Sequence, residues 1–171
     1  MTWTVPDLPS TTPPRTGAER ESLQGWLDFH RTTLQHKCAG LDHAQLSIRP
    51  VTTSLMSLLG ILRHMTDVER WWFRQMQCGE DVVARFDPEA IDADFTDLDS
   101  MPAEQVLAAF WQECAAADAA VAALPLEATF MSRRGHELNL RWVYLHMIEE
   151  YARHNGHADL LRELVDGTTE A

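Results

Sequence analysis

Four stretches of the chain carry hydrophobic residues at the three- and four-residue spacing that is typical of an amphipathic helix. The first covers about residues 19–39, and the second covers residues 54–78 with Ser54 as its candidate N-cap. The third covers residues 102–124 and begins at a proline, which is favoured in a first helical turn. The fourth covers residues 139–165 and is the longest. The pattern therefore predicts four helices.

The connections and the start of the chain complete the predicted architecture. No stretch shows the strict alternation of a strand, although residues 83–98 and 126–138 could each hold a short extended piece. Residues 1–17 contain four prolines and predict a poorly structured N-terminal arm that packs little or lies on the surface. Residues 18–168 predict a single domain. Because long connections favour crossovers over tight hairpins, we predict an all-α four-helix bundle with long crossover loops.

Composition narrows the possible partners. The chain has 171 residues and a formal net charge of −12, which argues against nucleic acid or a membrane surface as a partner, because both favour basic faces. It has no apolar run long enough for a membrane span, and its first residues lack the features of a secretory signal. Its three cysteines are far apart and form no CxxC motif. We expect a cytoplasmic protein with reduced thiols.

Acidic residues are concentrated between the second and third predicted helices. Residues 80–99 include eight Asp or Glu residues and one Arg. Carboxylate clusters can bind hard cations, but this stretch lacks the residue order of a calcium loop. We interpret it as a solvated connector.

The last predicted helix carries charged and polar residues on its hydrophobic face. Glu150, His154 and His157 project onto the face defined by Leu140, Val143, Met147, Leu161 and Val165. An unpaired buried carboxylate is costly, so we expect neighbouring imidazoles to neutralise Glu150 through a shared cation. Side chains four residues apart are neighbours on a helix, so Glu150 and His154 can bind one metal ion.

A third metal ligand must come from another helix, and His64 on the second helix is the best candidate. It lies only at the edge of the apolar stripe, where a lone histidine is more often a hydrogen-bonded core residue. We interpret His146 as a flanking residue, and residues 71–73 as core and interface rather than a cofactor site. Trp71 projects to the side of His64, where it could form a wall of the pocket. The chain contains no HExxH, no Glu-x-x-His pair and no GxSxG motif.

Two segments resemble a known superfamily. Residues 58–73 (LLGILRHMTDVERWWF) and 140–159 (LRWVYLHMIEEYARHNGHAD) are similar to DinB-like proteins, in particular to the mini-circle protein branch. The likeness covers about residues 19–166. It implies a four-helix bundle in up-down-down-up order that is often a homodimer. It also implies three metal ligands, one on the second helix and two, four residues apart, on the last.

Mapped onto this sequence, the resemblance assigns His64, Glu150 and His154 as the metal ligands. A ligand set that includes a glutamate resembles the one in mycothiol-dependent maleylpyruvate isomerase. The implied activity is transfer to, or isomerisation of, a small electrophile by a low-molecular-weight thiol such as mycothiol, which a divalent metal keeps as thiolate. Zinc is the expected metal, and nickel, iron or manganese also suit these ligands. His157 is the expected catalytic group, because an imidazole can move the thiol proton near neutral pH.

Two other interpretations stay open on the sequence alone. The chain could be a non-catalytic metal-binding or stress-related dimer that binds a small ligand, because a fold does not fix a function. The polar residues of the last helix could also be purely structural and set the register of a dimer. That last interpretation predicts no bound metal.

Overall fold

The structure is a computed structural model that describes residues 2–83 and 92–169. It is mostly helical, as the sequence predicts. The elements in chain order are α1 (Glu19–Cys38), α2 (His43–Leu46), α3 (Leu58–Glu69), α4 (Ala103–Val121), β1 (Thr129–Met131), β2 (Glu137–Asn139) and α5 (Leu140–Asp166). Within the described residues, no helix is both long and apolar enough to cross a membrane. The up-down-down-up order stays a prediction.

The second predicted helix starts later than expected and changes its winding. Its N-cap is Ser57, whose Oγ accepts a hydrogen bond from the Gly60 amide at 3.1 Å, so the prediction of Ser54 as N-cap is wrong. Beyond α3, the residues Arg70–Gln77 form a π-helix. Because i→i+5 hydrogen bonding widens the turn, side chains in this segment no longer follow the α-helical projection.

The core lies between the long helices. The helix α1 packs chiefly against α5, and α3 packs chiefly against α4. The buried face that the sequence predicts for α5 is confirmed at Val143, Met147 and Leu161, but it is wider than predicted because Tyr144 and Tyr151 are also fully buried. Glu150 and His154 therefore lie toward one edge of this face rather than at its centre.

The predicted N-terminal arm is docked at its start rather than loose. Val5 is only 2% exposed and belongs to the core. Its amide donates to the Leu41 carbonyl at 3.0 Å, and its carbonyl accepts from the Gly40 amide at 2.9 Å. The Gln35 side chain also donates to the Pro6 carbonyl at 2.7 Å. Burial and paired backbone groups therefore fix the chain at Val5, whereas the poorly structured arm as a whole stays a prediction.

A short hairpin precedes α5 and confirms the extended piece predicted within residues 126–138. Phe130 pairs with Leu138, and the strands are antiparallel. The five-residue turn 132–136 closes with the Ser132 amide donating to the His136 carbonyl at 2.8 Å. Gly135 has φ of 78°, a left-handed conformation that glycine adopts without strain. The hairpin thus brings the residues of its turn close to the start of α5.

One buried ionic network joins all four long helices. Arg31 on α1 donates from Nε and Nη2 to the two carboxylate oxygens of Glu69 on α3, at 2.7 and 2.8 Å. Its Nη1 donates to Asp118 on α4 at 3.0 Å. The hydroxyl of Tyr151 on α5 donates to Glu69 at 2.8 Å. Arg31, Glu69 and Tyr151 are all at most 1% exposed, so the network fixes the relative positions of the helices.

Candidate metal centre and adjoining cleft

His154 lies close to each of the other two residues that the sequence nominates as metal ligands. The ring centroids of His64 on α3 and His154 on α5 are 4.8 Å apart. Glu150 lies one turn before His154, with its Oε2 3.6 Å from His154 Nε2. Their side chains are partly buried, at 28%, 12% and 17% exposed for His64, His154 and Glu150. These residues therefore form a polar group at the edge of the core between two helices.

Glu150 also faces a second histidine. Its Oε1 lies 3.6 Å from Nε2 of His146, one turn earlier on α5. In the part of the chain that the structure describes, the three-residue group whose candidate ligand atoms all lie within 4.8 Å is His146, Glu149 and Glu150. Glu150 is thus shared between an inner set with His64 and His154 and an outer set with His146 and Glu149.

The two sets differ in their surroundings. Glu149 is 54% exposed and forms an ion pair with Arg153, so it already has a cationic partner. His146 is stacked on the Trp142 ring at 4.8 Å and meets the Trp72 ring edge at 4.7 Å. The inner set is less exposed, since the His154 side chain is only 12% exposed, and this burial favours it as the metal site.

His154 and His157 each carry a buried imidazole nitrogen without a partner among the described residues. In both residues this atom is Nδ1. Burial is the main cause, and the proximity of His64 the second, of a pKa of His154 that is lowered to about 4. His154 is therefore neutral at pH 7 and has one nitrogen lone pair to offer, as a metal ligand must. The His154 atom that faces the Glu150 carboxylate is Nε2, at 3.6 Å, so Nε2 is the atom that could share a divalent cation with Glu150.

Asp94 orients His64 and was missed by the sequence reasoning. The Asp94 carboxylate lies 2.8 Å from Nδ1 of His64. Because a carboxylate accepts hydrogen bonds, this contact places the proton on Nδ1 and leaves the Nε2 lone pair available. Carboxylate–histidine pairs of this kind orient metal ligands in many metalloproteins.

The acidic stretch is therefore more than the solvated connector that we predicted. Its part at residues 92–100 packs on α3, where Arg63 donates to the Thr96 carbonyl at 2.8 Å. Phe95 lies so close to Gly60 that a Cβ atom there would be 2.4 Å from the ring, so glycine permits this approach. Residues 84–91 lie outside the described residues.

A cleft of about 490 Å³ adjoins the candidate metal centre at His146. Trp71 and Trp72 of the π-helix and Trp142 of α5 line it, together with residues of the hairpin turn. Phe73 is fully buried and Trp72 is partly buried against the core, in line with the interpretation of residues 71–73 as core. Trp71, which the sequence places on the side of His64, lines the cleft.

Comparison with known proteins identifies the family of this chain. The family model described as Mycothiol-S-transferase matches residues 22–167. The chain belongs to the mycothiol S-transferase family. Searches of curated proteins and of solved structures give no significant match. The matched residues include His64, Glu150, His154 and His157, as well as the cleft tryptophans.

The mycothiol S-transferase family is DinB-like, so the superfamily predicted from the sequence is confirmed. Membership points to a mycothiol-related transferase activity. Family membership does not identify the metal, the metal ligands or the mini-circle branch, and these stay predictions.

Proposed function

We propose that this mycothiol S-transferase family member is a metal-dependent enzyme that joins a low-molecular-weight thiol, such as mycothiol, to a small electrophile. The observation that carries the proposal is the approach of the His64 and His154 rings to 4.8 Å beside Glu150. Isomerisation through a temporary thiol adduct uses the same chemistry, with the thiol released at the end.

His64, Glu150 and His154 are the residues that we propose to hold the metal ion. Two imidazoles and one carboxylate suit zinc and leave a coordination position for an outside ligand. Nickel, iron and manganese accept the same ligand types. A divalent ion held by these residues would supply Lewis-acid chemistry that favours ionisation of a thiol. The neutral state of His154, its pKa lowered to about 4 by burial, favours this role.

We assign the proton-transfer step to His157. Its ring centroid lies 5.4 Å from that of His154, and its buried Nδ1 has no hydrogen-bond partner in the part of the chain that the structure describes. The thiol S–H bond breaks and its proton passes to the imidazole, while the sulfur forms a bond to the electrophilic carbon. In a substitution the leaving group departs with the bonding electrons. In an addition to an activated double bond, the proton returns to the neighbouring carbon.

An activity assay with defined metal content tests the proposal. Protein purified without chelator is expected to form a mycothiol adduct with a fluorogenic alkyl halide faster than the uncatalysed reaction. Chelation followed by dialysis is expected to remove this activity, and added zinc is expected to restore it. Adduct formation, measured by fluorescence and mass spectrometry, checks both statements, and cysteine in place of mycothiol tests thiol preference.

Two results of this assay would contradict the proposal. An unchanged rate after complete metal removal would show that the transfer does not depend on a metal. Bound metal without any thiol transfer, over several electrophile classes, would favour the non-catalytic metal-binding bundle instead.

We further propose that the long helices form an up-down-down-up bundle and that two copies associate through α5. Large exposed hydrophobic side chains on this helix, Leu145, Leu160 and Leu164, support a protein partner. Replacing Leu160 and Leu164 together by Glu is expected to convert a dimer into a monomer in light scattering. Leu55→Glu, at an exposed leucine outside α5, is the matched control. A wild-type protein that stays monomeric in light scattering at every concentration measured would contradict the proposal.

A further inference from the structure

The cleft beside the candidate metal centre has an unusual combination of lining groups. Three tryptophans form its apolar walls, and Arg133, Arg134 and His136 from the hairpin turn lie at its border. The described lining contains no Asp or Glu, although the chain has a net charge of −12. The cleft is therefore a locally cationic and aromatic site on an acidic protein.

The two arginines differ from most other arginines of the molecule. Many arginines of the described residues form ion pairs with carboxylates, among them Arg31, Arg70, Arg74, Arg141, Arg153 and Arg162. Within residues 2–83 and 92–169, neither Arg133 nor Arg134 has such a partner. The guanidinium of Arg133 instead lies over the Trp71 ring, 4.2 Å from its centroid. This contact holds one cation at the cleft wall while its N–H groups remain available to an anion.

The cleft has the size of a small-molecule site and lies beside the residues proposed to hold the metal. Its volume of about 490 Å³ lies in the range of about 300–1,000 Å³ that is typical of small-molecule sites. His146 belongs both to the cleft lining and to the surroundings of Glu150, at 3.6 Å. A molecule in the cleft would therefore lie next to the residues proposed to hold the metal.

We propose that this cleft binds a flat organic anion, an aromatic or conjugated carboxylate, as the electrophilic co-substrate. The ring would lie against Trp72 and Trp142, and the carboxylate would pair with Arg133 and Arg134. Guanidinium groups match carboxylate geometry through paired hydrogen bonds, which gives the anion an advantage over a neutral molecule of the same shape. The co-substrate role rests on the proposed function, whereas the binding preference does not.

Direct binding to metal-free, thiol-free protein tests the preference. Isothermal titration calorimetry of the chelated full-length chain with 2-naphthoate is expected to show saturable binding. Binding of 2-naphthamide, which has the same shape without the charge, is expected to be about tenfold weaker. The double variant Arg133→Gln/Arg134→Gln is expected to weaken naphthoate binding about tenfold and to leave naphthamide unchanged. Trp142→Leu is expected to weaken both.

A control variant at an arginine outside the cleft checks that changes in naphthoate binding come from the cleft arginines. Arg15→Gln removes an exposed arginine far along the chain from the cleft residues and is expected to change neither affinity. Equal affinities for naphthoate and naphthamide, or an Arg133→Gln/Arg134→Gln variant that binds naphthoate normally, would overturn the proposal. Tighter binding of the neutral 2-naphthyl glucoside would overturn it in favour of a sugar site.

The naphthoate-binding test can succeed or fail independently of metal-dependent thiol transfer. Naphthoate binding by the chelated protein, together with no thiol transfer by the zinc-restored protein, would contradict only the proposed function. Thiol transfer with no naphthoate binding would contradict only the assignment of the cleft. Circular dichroism of each variant verifies that the helices remain folded before either conclusion is drawn.

Discussion

Replacing Arg31 by methionine is expected to lower the free energy of unfolding by about 3–5 kcal/mol, because it leaves the Glu69 carboxylate buried without its cation. Glu69 is 0% exposed, and of its two strong partners only the Tyr151 hydroxyl would remain. Urea unfolding at pH 7, followed by circular dichroism, measures the loss. A change of less than 1 kcal/mol would contradict the structural importance of the network.

Two control variants separate the buried pair from its exposed neighbour. Asp28 also contacts Arg31, but its side chain is 50% exposed, so Asp28→Ala is expected to cost no more than about 1 kcal/mol. The double variant Arg31→Met/Glu69→Met removes both charges and is expected to recover most of the stability lost in Arg31→Met, because apolar residues can replace a buried pair. A double variant as unstable as Arg31→Met would show that packing, not charge, causes the loss.

The protonation states of this network follow from its geometry. Burial acts to lower the pKa of Arg31, but the facing Glu69 carboxylate outweighs it and raises this pKa well above its ordinary value. Burial also raises the pKa of Tyr151 well above its ordinary value, so its hydroxyl remains a donor to Glu69. Arg31 therefore stays charged and Tyr151 stays neutral over the pH range in which the protein is studied.

The parts of the fold that the sequence predicts well are the ones governed by local periodicity. The buried face of α5 follows from hydrophobic spacing over seven turns, and Gly167, with φ of 80°, ends the helix as expected for a C-terminal glycine. Helix existence is fixed by many residues at once, so single irregularities do not change it. The exact residue at which a helix begins depends on few residues, which is why the sequence predicts Ser54 as the N-cap of α3 whereas the structure has Ser57.

The missed features depend on contacts between residues distant in sequence. Arg31 and Glu69 are 38 positions apart, and His64 and Asp94 are 30 apart. Charge patterning along one helix shows that such residues exist but not which carboxylate faces which cation. The π-helix, which includes Trp71 and Trp72 of the cleft, is similarly invisible to a fixed α-helical period. The tertiary contacts, not the local pattern, therefore determine the cleft.

Replacing His154 by alanine is expected to reduce zinc affinity by more than about 100-fold, because loss of a direct ligand exceeds the 10–100-fold cost of losing an outer partner. His64→Ala is expected to behave in the same way. His146→Ala is the matched control, since His146 also contacts Glu150 but belongs to the outer set. Elemental analysis and competition with a chromophoric chelator measure the affinities. Metal loss in His146→Ala but not in His154→Ala would assign the site to the outer set instead.

Two further variants separate metal binding from proton transfer in the same experiment. Asp94→Asn keeps the shape of the His64 partner but weakens its hydrogen bond, so zinc affinity is expected to fall about 10–100-fold. His157→Gln is expected to keep zinc and to lose thiol transfer between pH 6 and 8, because glutamine cannot take up the thiol proton. Normal transfer by His157→Gln over that pH range would remove His157 from the chemistry. Because zinc content is measured beside turnover, a lost ligand and a lost base give different results, and each proposed role stands or falls separately.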